Sequence, residues 1–179
     1  CYAPNSVSKV VNSKNEILNI VNNYENMSFN FGPTLLSWLE VFAPHAYERI
    51  IRADIKSIEL HGGHGNAIAQ VYNHIIMPLA NELDKQTQVV WGIKDFEYRF
   101  GRKPEGMWLA ETAVDDDTLR VLVEHGIKFT ILSPFQAKSI RKNGEPNWQD
   151  VSWGNIDPAR SYRYYLKSNP DKYIDLFFY

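Results

Sequence analysis

The 179 residues are 44% hydrophobic and 13% aromatic, with 19 basic against 21 acidic side chains and a formal net charge of −2. That balance excludes a disordered chain and a basic surface built for nucleic acid, and no apolar run reaches the roughly 18 to 20 residues a membrane span requires. The length suits about one domain, which buries on the order of 70% of its unfolded surface.

The first ten residues lack the basic start and apolar centre of a signal peptide. Cys1 is the sole cysteine, so no disulfide framework is expected within the chain and a cytoplasmic, reducing setting is the expectation. A start at Cys1 instead of methionine, and an end at Tyr179 inside an apolar run, point to a piece of something longer.

Ser13 and Glu16 have the spacing of a capping box, and Ile17, Ile20, Val21 and Tyr24 follow at helical intervals, which predicts a first helix over 13–24. Met27, Phe29 and Phe31 then alternate with polar residues as in a strand, and Gly32 and Pro33 end it and open a helix. Leu35, Leu36, Leu39 and Phe42 form a helical stripe. Beyond Pro44, Tyr47, Ile50, Ile51 and Ile55 form a second.

Residues 61–66 read H-G-G-H-G-N and are predicted to be irregular backbone. Val71, Ile75, Leu79 and Leu83, then Val89, Ile93, Phe96 and Phe100, predict mostly helix over 67–100, disturbed at Pro78. Short buried strands are predicted at 106–110 and 129–132. Between them lies a helix carrying Leu119, Leu122 and Val123 behind the acidic start Asp115, Asp116 and Asp117. Residues 138–170 read as a polar excursion before a last strand over 173–179.

Strands alternating with helices predict an α/β fold, a parallel sheet covered by helices, either open or barrel-shaped. An eight-fold barrel takes about 250 residues, so a barrel here would be incomplete.

Glu111 follows a predicted strand and precedes a helix, the place where α/β architectures collect reactive residues. Its bland reading is that it favours the positive end of the next helix, which is also the natural reading of Asp115, Asp116 and Asp117. His61, His64 and His74 could ligate a metal, but their spacing matches no tight pattern and no carboxylate completes them. They suit a loop lining or sugar hydrogen bonds better, and no metal or cofactor is expected. Among the tryptophans, Trp38 falls in a helical stripe and is expected in the core. Trp91, Trp108, Trp148 and Trp153 remain open, with Trp108 the best candidate to stack on a sugar. Arg160 and Arg163 beside Tyr162, Tyr164 and Tyr165 make a small basic and aromatic patch, too little for nucleic acid at this net charge.

The run P-E-G-M-W-L-A-E over 104–111, with T-A-V-D-D-D-T-L-R-V-L-V-E-H-G-I-K-F-T-I-L-S-P after it, resembles glycoside hydrolase family 57, whose members act on α-glucans. G-N-A-I-A-Q-V-Y-N-H-I-I-M-P-L over 65–79 and F-N-F-G-P-T-L-L over 29–36 resemble segments of the same family, in the same order. The form is most similar to uncharacterised members that carry an added C-terminal domain. The resemblance implies an incomplete (β/α)7 barrel, a retaining mechanism with Glu111 as nucleophile, and an oligosaccharide or polysaccharide substrate. It further implies sugar binding by His74, with His61, His64 and Trp108 as weaker candidates, since alternation along a strand turns Trp108 away from Glu111. The family's acid/base aspartate and opening histidine motif have no match within Cys1–Tyr179, so the implied activity belongs to the parent protein with the rest of its barrel, and this part alone is expected to be inactive. Two other readings stand beside it: a metal-dependent polysaccharide deacetylase using His61, His64 or His74, and a carbohydrate-binding module that kept the fold without the chemistry.

Overall fold

The computed structural model describes residues 2–179; Cys1 lies outside the described residues. After a short helix α1 (Tyr2–Ser6), strands β1 (Ser8–Val11) and β2 (Ile17–Val21) form an antiparallel hairpin. This corrects the helix expected over 13–24. Asn12 takes over the role assigned to Ser13: its side-chain oxygen accepts the N–H groups of Lys14 at 2.9 Å and Glu16 at 3.0 Å, and its amide donates to the Glu16 carboxylate at 2.7 Å. Such local side-chain bonds favour a turn over a helix, and β-branched Ile17, Ile20 and Val21 then suit a strand.

Helices α2 (Pro33–Phe42) and α3 (Pro44–Leu60) begin at prolines, whose fixed φ and missing N–H cost nothing in the first turn. They bury Leu36, Leu39, Ile50 and Ala53. Trp38 is not in the core as expected; it is 52% exposed and stacks on Phe42 at 5.5 Å. α2 packs through one face, and Trp38 lies off it.

The stretch expected to be mostly helical from residue 67 divides. Strand β3 (Ala69–Gln70) is followed by a turn and a 3-10 segment (Met77–Leu79), and only then by helix α4 (Glu82–Phe100). Asn81 caps α4 by accepting the Asp84 N–H, and Gly101 closes it at φ 67°. Ala67 to Val71 are all buried, so this strand shows no alternation that would separate it from a buried helix in the sequence.

Strand β4 (Met107–Trp108) is shorter than expected and leads to α5 (Asp116–Glu124) and β5 (Phe129–Leu132). The predicted strand over 27–31 contributes one bridge, Phe29 to Ala67. β3 then pairs parallel with β4, Gly106 bridges parallel to Phe129, and β5 pairs parallel with the last strand. Parallel segments therefore neighbour one another in chain order, with α2, α3, α4 and α5 in the crossovers. The architecture is mixed α/β, and among the described residues the segments form short separate ladders instead of a closed barrel.

The excursion holds a small ribbon, β6 (Ser139–Ile140) with β7 (Gln149–Asp150). Strand β8 (Tyr162–Leu166) follows and pairs antiparallel with β9 (Asn169–Phe178). Among the described residues this crossover holds 3-10 turns and no α-helix, which departs from the expected pattern of parallel strands each followed by a helix.

Two contacts fix the sheet against its helices. A Cβ on Gly92 of α4 would lie 2.2 Å from the Gln70 carbonyl oxygen, so helix and strand meet backbone to backbone. Asp54 of α3, fully buried, accepts Arg102 Nε and Nη2 at 2.8 Å each and the Ala67 N–H at 2.7 Å, while Arg102 also donates to the Ala67 carbonyl at 2.8 Å. No described helix is long and apolar enough to cross a membrane.

Candidate active site

The turns that leave β3 and β4 lie side by side at the carboxyl ends of parallel strands. Each contains non-glycine residues in the left-handed region: His74 in the first, Glu111 and Thr112 in the second, all at φ 54°. Such backbone costs roughly 1–3 kcal/mol per residue and persists only where surrounding contacts impose it.

Those contacts are visible. Val71 donates to the Trp108 carbonyl at 3.4 Å, Tyr72 and Asn73 donate to the Gln88 carbonyl and side-chain oxygen at 3.2 and 2.7 Å, and His74 donates to the Val71 carbonyl at 3.2 Å. In the second turn Thr112 donates to the Leu109 carbonyl and Ala113 to that of Ala110, both at 3.0 Å. Leu109, Ala110 and Thr112 are buried, yet Glu111 between them is exposed. The fold thus grips the backbone on both sides of the glutamate and presents its carboxylate to the open end of the sheet.

α4 supplies the support. Lys85, Gln88 and Gly92 share its buried face. Gln88 holds the His74 turn, and Lys85, only 4% exposed, donates to Asp115 at 2.7 Å. Asp115 in turn caps α5 by accepting the Thr118 N–H at 2.7 Å. Partial burial opposes ionisation of Asp115, but the Lys85 ammonium and the Thr118 hydroxyl and N–H together hold its carboxyl below the usual range. Sequence reasoning missed Lys85 and Gln88. Their signal was three non-hydrophobic residues at 85, 88 and 92, spaced along a helix face that should be apolar.

Asp116 is also committed. Lys167 and the Tyr164 hydroxyl bond its carboxyl and hold it low. Asp117 lies 3.7 Å from Arg120 on the same helix. The aspartates therefore serve the start of α5, as the bland reading expects.

His61 and His64 stand elsewhere. Their loop precedes Ala67, which puts it at the amino ends of the strands, opposite to Glu111 and His74. His64 Nδ1 lies 2.7 Å from a Glu105 carboxylate oxygen, and Lys128 reaches the other oxygen at 2.6 Å. These two bonds, from Lys128 first and His64 second, hold the Glu105 carboxyl low. Residues 105 and 128 immediately precede the bridged Gly106 and Phe129, and residue 64 comes three before the bridged Ala67, so this cluster ties three loops at one end of the sheet. The three histidines do not assemble, and among the described residues no three His, Cys, Asp or Glu side chains are placed to hold a metal ion. The His61–His64 loop and His74 thus do not form one site.

Trp108 is half-buried on β4 between fully buried Met107 and Leu109. Of the other tryptophans, Trp91 meets the edge of Tyr72 at 5.5 Å, Trp148 lies under the Arg141 guanidinium at 5.0 Å, and Trp153 is 86% exposed. The basic and aromatic patch is internally paired: Arg163 grips Asp175 through two bonds and Arg160 pairs with Asp157 at 2.9 Å.

Comparison with known proteins finds the model of glycosyl hydrolase family 57 matching residues 12–178. Alpha-amylase 1 of Dictyoglomus thermophilum is 29% identical over 107 residues, 59% of this chain and 15% of the amylase. Among solved structures, the 4-alpha-glucanotransferase of Thermococcus litoralis superposes with a TM-score of 0.58 at 20% identity, over 86% of this chain and 22% of that protein. The exo-type maltose-forming amylase of Pyrococcus sp. ST04 gives the same TM-score and identity, over 84% and 22%. The chain thus spans about a fifth of the length of these two solved structures and 15% of the amylase, and at these identities the structures show likeness of fold alone.

Proposed function

The chain belongs to glycosyl hydrolase family 57, and on that premise we propose that its parent protein is a retaining glycoside hydrolase or glucanotransferase acting on α-glucans, with Glu111 as the nucleophile. The supporting observation is the Glu111 turn, where a strained backbone clamped by buried neighbours holds an exposed carboxylate at the carboxyl end of β4. In this reading the parallel ladders are one arc of a (β/α)7 barrel that the rest of the parent completes.

A retaining enzyme requires two carboxyl groups roughly 5–5.5 Å apart. Glu111, ionised, attacks the anomeric carbon as the glycosidic bond breaks, while the second group protonates the departing oxygen and then activates the incoming nucleophile. Asp115 and Asp116 are unsuited to that second role, because their cationic and hydroxyl partners stabilise the ionised form. The acid/base is assigned to the remainder of the parent protein. His74, held on the neighbouring turn by Gln88, is assigned to hydrogen bonding of the sugar beside the bond that breaks. Water on the glycosyl ester gives hydrolysis and a sugar hydroxyl gives transfer, so the partition between them depends on how well the closed site excludes water.

The test is product stereochemistry. The full-length protein given maltoheptaose is expected to release products whose first-formed anomer by proton NMR is α, with redistributed chain lengths where transfer competes. A first-formed β anomer would contradict the double displacement.

A further inference from the structure

A second set of strained and exposed residues lies one strand over from Glu111. The 3-10 turn Pro134–Gln136 leaves the carboxyl end of β5, the neighbour of β4, and carries Phe135 at 72% exposure. Next to it runs the segment Ser152–Gly154, where a Cβ on Gly154 would lie 3.5 Å from the Phe135 ring and Trp153 is 86% exposed and in the left-handed region at φ 63°, ψ 27°. Both residues line one open surface hollow of about 350 Å³, with Gln136, Ala137, Lys138 and Ser152 completing its lining.

The tryptophan is displayed by a fixed support. Val151 and Ile156 on either side are buried at 0% and 5% exposure. Val151 donates to the Lys138 carbonyl at 2.9 Å, Ser152 N–H to Asp150 at 2.8 Å, and Asn155 returns to the Val151 and Ser152 carbonyls at 3.1 and 2.8 Å. For a bulky residue a positive φ is a true outlier, and strain of this kind collects at ligand clamps. Here it contributes nothing to the core, since the ring it carries is in solvent.

We infer that Phe135 and Trp153 form an outlying sugar subsite that grips an α-glucan chain some residues away from the bond cleaved at Glu111. A pyranose has an apolar C–H face and a rim of hydroxyls. Two aromatic rings bordered by an amide, a hydroxyl and one ammonium match that amphipathic shape, and their place at the carboxyl end of β5 continues the open face that carries Glu111. The inference rests on the proposed function and extends it to substrate length.

The test compares Trp153→Ala with wild type in the full-length protein on maltoheptaose and on α-glucosyl fluoride, whose single sugar is held at Glu111. KM for maltoheptaose is expected to rise roughly five- to tenfold more than KM for the fluoride, with Phe135→Ala acting in the same direction. Trp153→Gly, which removes the ring and relaxes the backbone, is expected to raise KM equally while raising the melting temperature. Equal effects of Trp153→Ala on the long and short substrates would overturn the subsite while leaving Glu111 as nucleophile intact. Should the full-length protein prove inactive, calorimetric titration with maltoheptaose decides independently: binding weakened by Trp153→Ala supports the subsite, and undiminished binding rejects it.

Discussion

Glu111→Gly in the full-length protein is expected to lower kcat on α-maltosyl fluoride by about 10,000-fold, and added azide is expected to restore turnover with β-maltosyl azide as the product. Glycine removes the carboxylate and leaves a space on the face of the sugar that it occupied. A small anion can enter there and displace fluoride once, inverting the anomeric carbon. Because the substitution also relieves a left-handed non-glycine residue, stability is expected to stay level or rise by about 1 kcal/mol. Loss of activity with gain of stability distinguishes a catalytic carboxylate from one that supports the helix start, whose removal would weaken the fold. Fluoride release at the wild-type rate, or a folded variant that azide does not rescue, would contradict the role.

Asp54→Ala is expected to destabilise the protein by ~3–5 kcal/mol, read from urea unfolding midpoints. The carboxylate is fully buried and serves three donors, two on Arg102 and the N–H of Ala67. Removing it strands a guanidinium in a site built to neutralise it. Because Asp54 and Arg102 together hold both the N–H and the carbonyl of Ala67, the loss also loosens the entry to β3 and so the turn that carries His74. Asp54→Leu combined with Arg102→Leu is expected to cost less than either single change, since no charge then lacks a partner. Single substitutions that cost under about 1 kcal/mol would show the pair to be a surface-like contact.

The position of Glu111, after a strand and before a helix, was legible in the sequence because its surroundings speak locally: apolar Met107 and Leu109 before it, an acid-capped helix after it. His74 was not legible by pattern, since the apolar spacing from Val71 to Leu83 placed it in a helix that the structure replaces with a strand and a turn. Only the resemblance singled it out. The N-terminal hairpin was misread because a capping box and a turn closed by asparagine use the same polar residue types, and only tertiary context decides between them. His61 and His64 were grouped with His74 through proximity in sequence, whereas the strand between them carries the chain from one end of the sheet to the other. Lys85 and Gln88 depend on partners 30 and 15 residues away, and the Trp153 turn is tied through Val151 to Lys138, 13 residues back, which no local pattern encodes.

The central claim is that Glu111 forms a bond to sugar. Incubating the full-length protein with 5-fluoro-α-glucosyl fluoride, which forms the glycosyl ester faster than it is lost, and mapping the peptides by mass spectrometry tests it directly. The account expects one hexose-sized mass increase on the peptide containing Glu111, absent from Glu111→Gln. A sugar on any other residue, or no adduct in a folded protein that turns over maltoheptaose, would contradict it.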